Sequence, residues 1–313
     1  MQLSDRIGRR VKLHDLHVLM AVVHAGSMNK AAALLNTTQP AISKSIAELE
    51  RMIGVRLLDR HRQGIEPTEY GRALLSGGAT VFDELRQTVK NIEFLADPAA
   101  GEVRIGSNPL LAASFTSAVI DRLSQRYPRM RFQLVTGYVD ALYRQLSERN
   151  VDLLIALKLG PIADERLDFE LLFDDSCVVV AGAQNRWVRR RRIKLAELVN
   201  EAWVLSPLGS GISSIAMKAF VANGLEYPRL TIITDSLPAR MSLLATGRYL
   251  TIFPASAVRL PTRRPDLKIL PVEVPMAPVP NGIVTLKNRT LNPVARLFIE
   301  TAREVAKLLT KKK

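Results

Sequence analysis

Four histidines and one cysteine are the residues of this 313-residue chain best suited to nucleophilic or metal chemistry. His14, His17 and His24 lie close together near the start, His61 follows, and the cysteine is Cys177. Residues 101–313 hold no histidine, so neither a Ser–His–Asp site nor a histidine-ligated metal can be built there. His14 and His17 share a helix face, but no third ligand accompanies them, and surface or packing roles suffice. A single cysteine closes no intrachain disulfide and no cysteine-based zinc site, which fits a reducing cytoplasm. Gly209-Ser210-Gly211 is too short for a phosphate-binding loop. No metal and no cofactor is therefore expected. Carboxylate-only catalysis stays open, but the remaining chemistry is mainly recognition by amides, hydroxyls and cations.

The cations are abundant. Lys and Arg number 44 against 30 Asp and Glu, a formal charge of +14. Such a balance favours a polyanionic partner, because phosphates attract Lys and Arg and release counterions on binding. A generically basic proteome is the alternative. The charge is not concentrated at the start: residues 1–66 carry +4, residues 67–100 carry −2, and the remainder carries +12. Total charge alone thus does not locate a nucleic-acid site. Aromatic residues are only 5%, too few for a base-stacking platform. Met1 to Lys12 is polar with no apolar core, so no signal peptide is expected. No apolar run approaches the roughly 18 residues of a membrane span.

The elements that must position these groups can be read from spacing. Leu13, Leu16, Leu19, Met20 and Val23 recur at helical intervals up to Ala25, and Gly26 stops the helix. Ser27 can cap a second helix running to Leu35, whose Ala31, Ala32 and Ala33 permit close crossing. Asn36-Thr37-Thr38 makes a turn, and a third helix runs from Gln39 to about Met52 with Pro40 in its first turn. Ile42, Ile46, Leu49 and Ile53 form its buried face; Gln39, Ser43 and Lys44 face the other way. This is a helix-turn-helix pattern. Val55 to Thr68, with Arg56, Arg60, His61 and Arg62, reads as a short basic β-wing. Glu69 to Leu95 reads as one long helix with a seam at Leu74, Gly78, Val81, Leu85, Thr88, Ile92 and Leu95, a pattern for dimerisation or for packing on the protein's own body. Asp97-Pro98-Ala99-Ala100-Gly101 is a hinge, after which strands and helices alternate to the end, implying an α/β fold with largely parallel sheets.

The stretch Ala25-Gly26-Ser27-Met28-Asn29-Lys30-Ala31-Ala32, with Thr38-Gln39-Pro40-Ala41-Ile42-Ser43-Lys44-Ser45-Ile46, Leu49-Glu50 and Gly54-Val55-Arg56-Leu57-Leu58-Asp59-Arg60, resembles the LysR-type transcriptional regulators. Glu66-Pro67-Thr68-Glu69-Tyr70-Gly71 is similar to that family's wing exit, with Pro67 where Leu is more usual. The resemblance covers the whole chain and is strongest at the N-terminus. It implies a winged helix-turn-helix domain at 1–68, a linker and dimerisation helix with hinge at 69–100, and an effector-binding domain at 101–313. That last domain would be two α/β subdomains of periplasmic-binding-protein type, about 101–172 with 277–313, and about 173–276. It also implies a homodimer or homotetramer, double-stranded DNA and a small-molecule effector as partners, and RNA polymerase as the downstream contact.

Residues at the start of a recognition helix reach base edges in the major groove. Gln39 can pair with adenine, Pro40 can touch a thymine methyl, and Ser43 and Lys44 can reach a base or a phosphate. By resemblance these four match positions the family uses. Ser27 and Lys30, at the start of the preceding helix, are phosphate candidates, and Arg60 and Arg62 are wing candidates. Ordinary roles stand beside these: Arg60, for example, can pair with Asp59 or Glu66. For the effector, turns leading from strands into helices supply Ser107, Asn108, Tyr138, Ser206 and Ser210, with Asp235 and Ser236 on a further loop; capping and turn roles suit each equally. Arg189-Arg190-Arg191-Arg192 beside Trp187 reads as a solvated loop. Three other functions compete with this reading: a carboxylate-dependent enzyme domain or a solute-binding domain fused to a DNA-binding module, and an architectural DNA binder without an effector.

Overall fold

The computed structural model describes residues 11–61, 64–158, 160, 164–207, 211–228, 231–260, 266–274 and 278–310. The chain divides into two compact units, Met1–Arg86 and Gln87–Lys313.

The first unit begins with three helices, α1 Leu13–Ala25, α2 Met28–Leu34 and α3 Gln39–Ile53. Gly26 and Gly54 end α1 and α3 in the left-handed region, with φ of 64° and 86°, where a side chain would be strained. Ser27 and Thr38 stand at the helix starts as expected, but neither side chain makes a capping bond. One core joins the three helices: Val18, Leu19 and Val22 of α1, Ala31 and Ala32 of α2, and Ile42, Ile46 and Leu49 of α3. Ile53, expected on that buried face, is only half-buried and packs at its margin. The hairpin β1 Leu58–His61 and β2 Gly64–Pro67 follows, with Asp59 opposite Glu66 and Arg60 opposite Ile65.

Helix α4, Glu69–Ala96, carries the expected seam, but the seam is divided. Leu74 packs on the three-helix core, and Gly78 lies against Leu16 and Met20. Val81, Leu85, Thr88, Ile92 and Leu95 are exposed, Leu95 by 80%. The first turns of α4 thus anchor it to its own domain, and the later turns present an exposed apolar stripe.

The second unit contains two five-stranded sheets. In chain order its elements are β3 Ala100–Ser107, α5 Pro109–Leu111, α6 Ser117–Arg126, β4 Arg129–Thr136, α7 Val139–Ser147, β5 Leu153–Leu157, β6 Leu167–Asp175 and β7 Cys177–Gly182. Then come β8 Trp203–Leu205, α8 Gly211–Ala222, β9 Thr231–Ile233, α9 Leu237–Ala245, β10 Leu250–Pro254, α10 Ser256–Arg259, β11 Leu267–Ile269, β12 Val279–Leu286 and α11 Pro293–Thr310. One sheet has the order β4-β3-β5-β12-β6, the other β11-β7-β10-β8-β9.

The sheets are mixed, which corrects the expectation of largely parallel pairing. β3 pairs in parallel with β4 and β5, but β12 runs antiparallel to both β5 and β6. In the other sheet β7 is antiparallel to β10 and β11, while β8 is parallel to β9 and β10. The reason lies in the chain path. Only Ser176 separates β6, on the first sheet, from β7, on the second, so the chain crosses between sheets without a helix. Parallel neighbours require a helical crossover; direct crossing strands need not run parallel. Between β3 and β4 the helical segment is broken into α5, a π-helical turn at Ala112–Thr116, and α6.

A buried ion network ties the first sheet together. Asp152, 1% exposed, accepts the backbone N–H of Arg104 on β3 at 2.8 Å and faces the guanidinium of Arg289 at 3.2 Å. Arg104 approaches the same carboxylate at 3.3 Å, and Lys90 lies 4.0 Å away. The Arg289 side chain is fully buried and also donates to the carbonyl of Val151 at 2.7 Å.

Candidate nucleic-acid interface and effector cleft

The first turn of α3 stands clear of its own domain. Gln39, Pro40, Ala41 and Lys44 are exposed and Ser43 is half-buried, while Ile42 and Ile46 on the opposite side are buried. Amphipathic spacing therefore presents to solvent the side chains that were assigned to base contacts. Lys30 on α2 is exposed, and Ser27 is half-buried.

The hairpin is fixed to this helix pair by named bonds. Glu50, near the end of α3, accepts the N–H groups of Leu57 and Leu58 at 2.7 and 3.2 Å. Ile65 donates its N–H to the carbonyl of Gly26 at 3.1 Å, so β2 docks on the turn between α1 and α2. Thr68 donates its hydroxyl to the Arg56 carbonyl at 2.8 Å and accepts the N–H of Gly71 at 3.0 Å. At Gly71 a Cβ would meet the Leu57 carbonyl oxygen at 2.1 Å, so only glycine allows α4 to start this close to the wing. Arg60 is exposed on β1 and, among the described residues, forms no ion pair with Asp59 or Glu66. Arg62 lies outside the described residues.

In the second unit the expected effector residues prove to be of three kinds. Ser107 is fully buried at the end of β3, its hydroxyl 3.1 Å from that of Thr116. Asn108 and Ser236 are helix caps. Asn108 Oδ1 accepts from Leu110 and Leu111 at 3.1 and 3.0 Å, and Ser236 Oγ accepts from Ala239 at 3.3 Å. Yet the Asn108 Nδ2, buried, has no hydrogen-bond partner. Tyr138, Ser206 and Asp235 belong to a third group. Tyr138, after β4 of one sheet, hydrogen-bonds the carboxylate of Asp235, after β9 of the other. Burial raises the Tyr138 pKa, and the Asp235 charge and hydrogen bond raise it further. Ser206, after β8, accepts from the guanidinium of Arg240. Ser210 lies outside the described residues.

Sequence reasoning missed Arg240. It sits on α9, is 4% exposed, and lies with its guanidinium carbon 5.3 Å from the centre of the Phe253 ring. Its Nη2 also reaches the Thr234 carbonyl at 3.3 Å, while its Nε is buried without a partner. Desolvation lowers its pKa to about 10 in spite of Tyr138 and Tyr227 nearby. A signal existed, since Arg240 is the only charged residue in Leu237–Ala245. Its helix neighbours Leu237 and Met241, with Leu110, Phe253, Leu260 and Leu267, line an apolar cavity of about 350 Å³. Within the exposed arginine run near Trp187, Arg190 reaches Glu197 at 3.2 Å and lies over the Trp187 ring.

An exposed helix start beside a docked hairpin, followed by two α/β sheets with a polar cluster between their strand ends, defines a class: a winged helix-turn-helix DNA-binding regulator with a ligand-binding unit. Comparison with known proteins agrees. Residues 13–72 match the family of bacterial regulatory helix-turn-helix proteins of the lysR family, and residues 96–307 match the LysR substrate binding domain. The transcriptional regulator GbpR of Azospirillum brasilense is 27% identical over 295 residues, covering 94% of this chain and 86% of that protein. A full-length OxyR variant from Pseudomonas aeruginosa shares the fold with a TM-score of 0.64 at 19% identity, covering 95% of each chain. Full-length CbnR, solved in complex with its target DNA, does so with a TM-score of 0.55 at 21% identity, covering 95% of this chain and 100% of CbnR.

The chain belongs to the LysR family. It is a DNA-binding transcription regulator with an effector-binding domain. No helix among the described residues is long and apolar enough to cross a membrane.

Proposed function

We propose that this regulator reads a pseudo-palindromic promoter site through Gln39, Pro40, Ser43 and Lys44, with Ser27, Lys30, Arg60 and Arg62 on flanking phosphates, as a cytoplasmic homodimer or homotetramer. The observation that carries this reading is the exposed first turn of α3, held beside the wing by Glu50. Its amide, hydroxyl and ammonium groups are the types that pair with base edges and phosphates. The apolar stripe Val81, Leu85, Ile92 and Leu95 supports pairing of two α4 helices. Domains at 1–68, 69–100 and 101–313 follow from this division of labour. An effector at Ser107, Asn108, Tyr138, Ser206, Ser210, Asp235 and Ser236 would bind one arrangement of the two sheets better than another. That difference in affinity is what shifts a population toward one DNA-bound geometry and so changes contact with RNA polymerase.

Fluorescence anisotropy on promoter DNA and scrambled DNA tests the assignment. Gln39→Ala should cost about 1–3 kcal/mol of preference for promoter DNA while leaving weak non-specific binding intact. Arg60→Ala should weaken both DNAs alike and lower the salt slope by about 1. A Gln39→Ala protein that keeps the full preference would remove Gln39 from the reading.

A further inference from the structure

Arg240 is a buried cation. Among the described residues no carboxylate lies within salt-bridge distance of its guanidinium; Ser206 Oγ and the Thr234 carbonyl are its only acceptors, and both are neutral. A guanidinium carries five N–H donors in a planar fork suited to a carboxylate. Here Nη2 is used, and the buried Nε is orphaned. The buried Asn108 Nδ2, at the carboxyl end of β3, is a second orphaned donor. Buried polar groups are nearly always paired, so unpaired donors on the rim of two sheets mark a site that a ligand completes.

The surroundings are specific as well. Tyr138 and Asp235 join loops from the two sheets beside Arg240, and the ring of Phe253 lies under the guanidinium. Phe253 also lines the apolar cavity with Leu237 and Met241, the flanking residues of Arg240's own helix. Asp235 does not neutralise the arginine; its carboxylate is exposed and hydrogen-bonded to Tyr138.

Resting on the reading of this unit as the effector domain, we infer that the effector is a small molecule bearing a carboxylate, and that Arg240 is the residue that receives it, with Ser206 as a neutral donor beside it. Phosphate esters fit less well, because a single arginine and a neutral donor leave a dianion half-compensated. On binding, the orphaned Nε gains an acceptor and the buried charge gains a counter-ion. The ligand thereby favours the arrangement in which the Tyr138 and Asp235 loops meet.

The test uses the full-length protein and thermal unfolding followed by tryptophan emission, since Trp187 and Trp203 are the only two tryptophans and both lie in this unit. The probes are hexanoate, benzoate, glutarate and gluconate, each beside its primary amide, with inorganic phosphate as a separate arm. At least one carboxylate should raise the midpoint while its amide does not. Arg240→Met should weaken that carboxylate by at least about 10-fold, the scale of a hydrogen bond to a charged group. Without ligand, the same variant should unfold no earlier than wild type, because a buried cation has been removed from the interior; a purely structural arginine would predict a loss. Arg240→Lys, which keeps the charge but not the fork, should retain the preference for carboxylate over amide at reduced affinity. Equal stabilisation by acid and amide, stabilisation by phosphate alone, or unchanged carboxylate affinity in Arg240→Met would overturn the inference. So would a protein that prefers its promoter DNA yet is stabilised by no carboxylate; the regulator reading would then survive. A wild-type protein with no DNA preference would instead count against that reading.

Discussion

Asp152 offers the sharpest test of how the effector unit is held together. Its carboxylate is the counter-charge of Arg289, whose side chain is fully buried, and it also fixes the backbone of β3 through the N–H of Arg104. Replacing Asp152 with Leu removes this carboxylate from the buried guanidinium of Arg289. Arg104, with a side chain 20% exposed, can turn toward water, but Arg289 cannot. Breaking a buried pair from one side costs about 3–5 kcal/mol. For a unit of this size each kcal/mol moves the midpoint by about 2–4 °C, so Asp152→Leu should lower it by roughly 6–20 °C. Tryptophan emission isolates the measurement, because both tryptophans lie in residues 87–313. Adding Arg289→Met should recover most of the loss, since an apolar pair of similar volume is often neutral or better. A loss below about 1 kcal/mol, or a double variant no more stable than the single one, would refute the claim that the network is held by charge compensation.

Two further outcomes follow from geometry. Gly71→Ala places a methyl 2.1 Å from the Leu57 carbonyl oxygen, a backbone atom that cannot yield cheaply. The DNA-binding unit should lose about 1–3 kcal/mol, read as reduced promoter affinity and faster proteolysis of residues 11–86, with the tryptophan-monitored midpoint unchanged. Cys177 is buried, and desolvation followed by the nearby Asp175 charge pushes its thiol up to about 12. The reactive thiolate is therefore scarce at neutral pH, and iodoacetamide should label the native chain far more slowly than the urea-unfolded chain at pH 8. Equal rates would contradict that burial.

The DNA-binding half was legible because its signals are local. Glycines at the ends of α1 and α3, and apolar residues at intervals of three and four, set helix limits to within a residue or two, and the same periodicity placed Gln39 and Lys44 outward. The long helix was legible too, but not the division of its seam, because Gly78 gives no hint that Leu16 and Met20 will lie against it. β6 is poorly legible in the sequence: charged residues punctuate Leu167-Asp-Phe-Glu-Leu-Leu-Phe-Asp-Asp175, and its role as a crossing strand depends on the partner β12 more than 100 residues away. Sheet polarity was misjudged for the same reason, since strand direction depends on tertiary path and not on any residue. In the effector unit, turn residues were recognisable, yet the side chains of Asn108 and Ser236 serve as helix caps. Arg240 escaped notice because an arginine on a short helix is ordinarily solvated; only packing shows it buried over Phe253. The residues flagged by local chemistry were thus the supports of the polar cluster, and its charge was hidden by tertiary structure.

The measurement that bears most directly on the account is wild-type binding across a salt series, comparing DNA from the intergenic region upstream of its own reading frame with scrambled DNA of equal length. Upstream DNA should bind at least about 1,000-fold more tightly, and both affinities should fall linearly with salt on a logarithmic scale, as phosphate contacts require. Absence of binding to either DNA at low salt would contradict it.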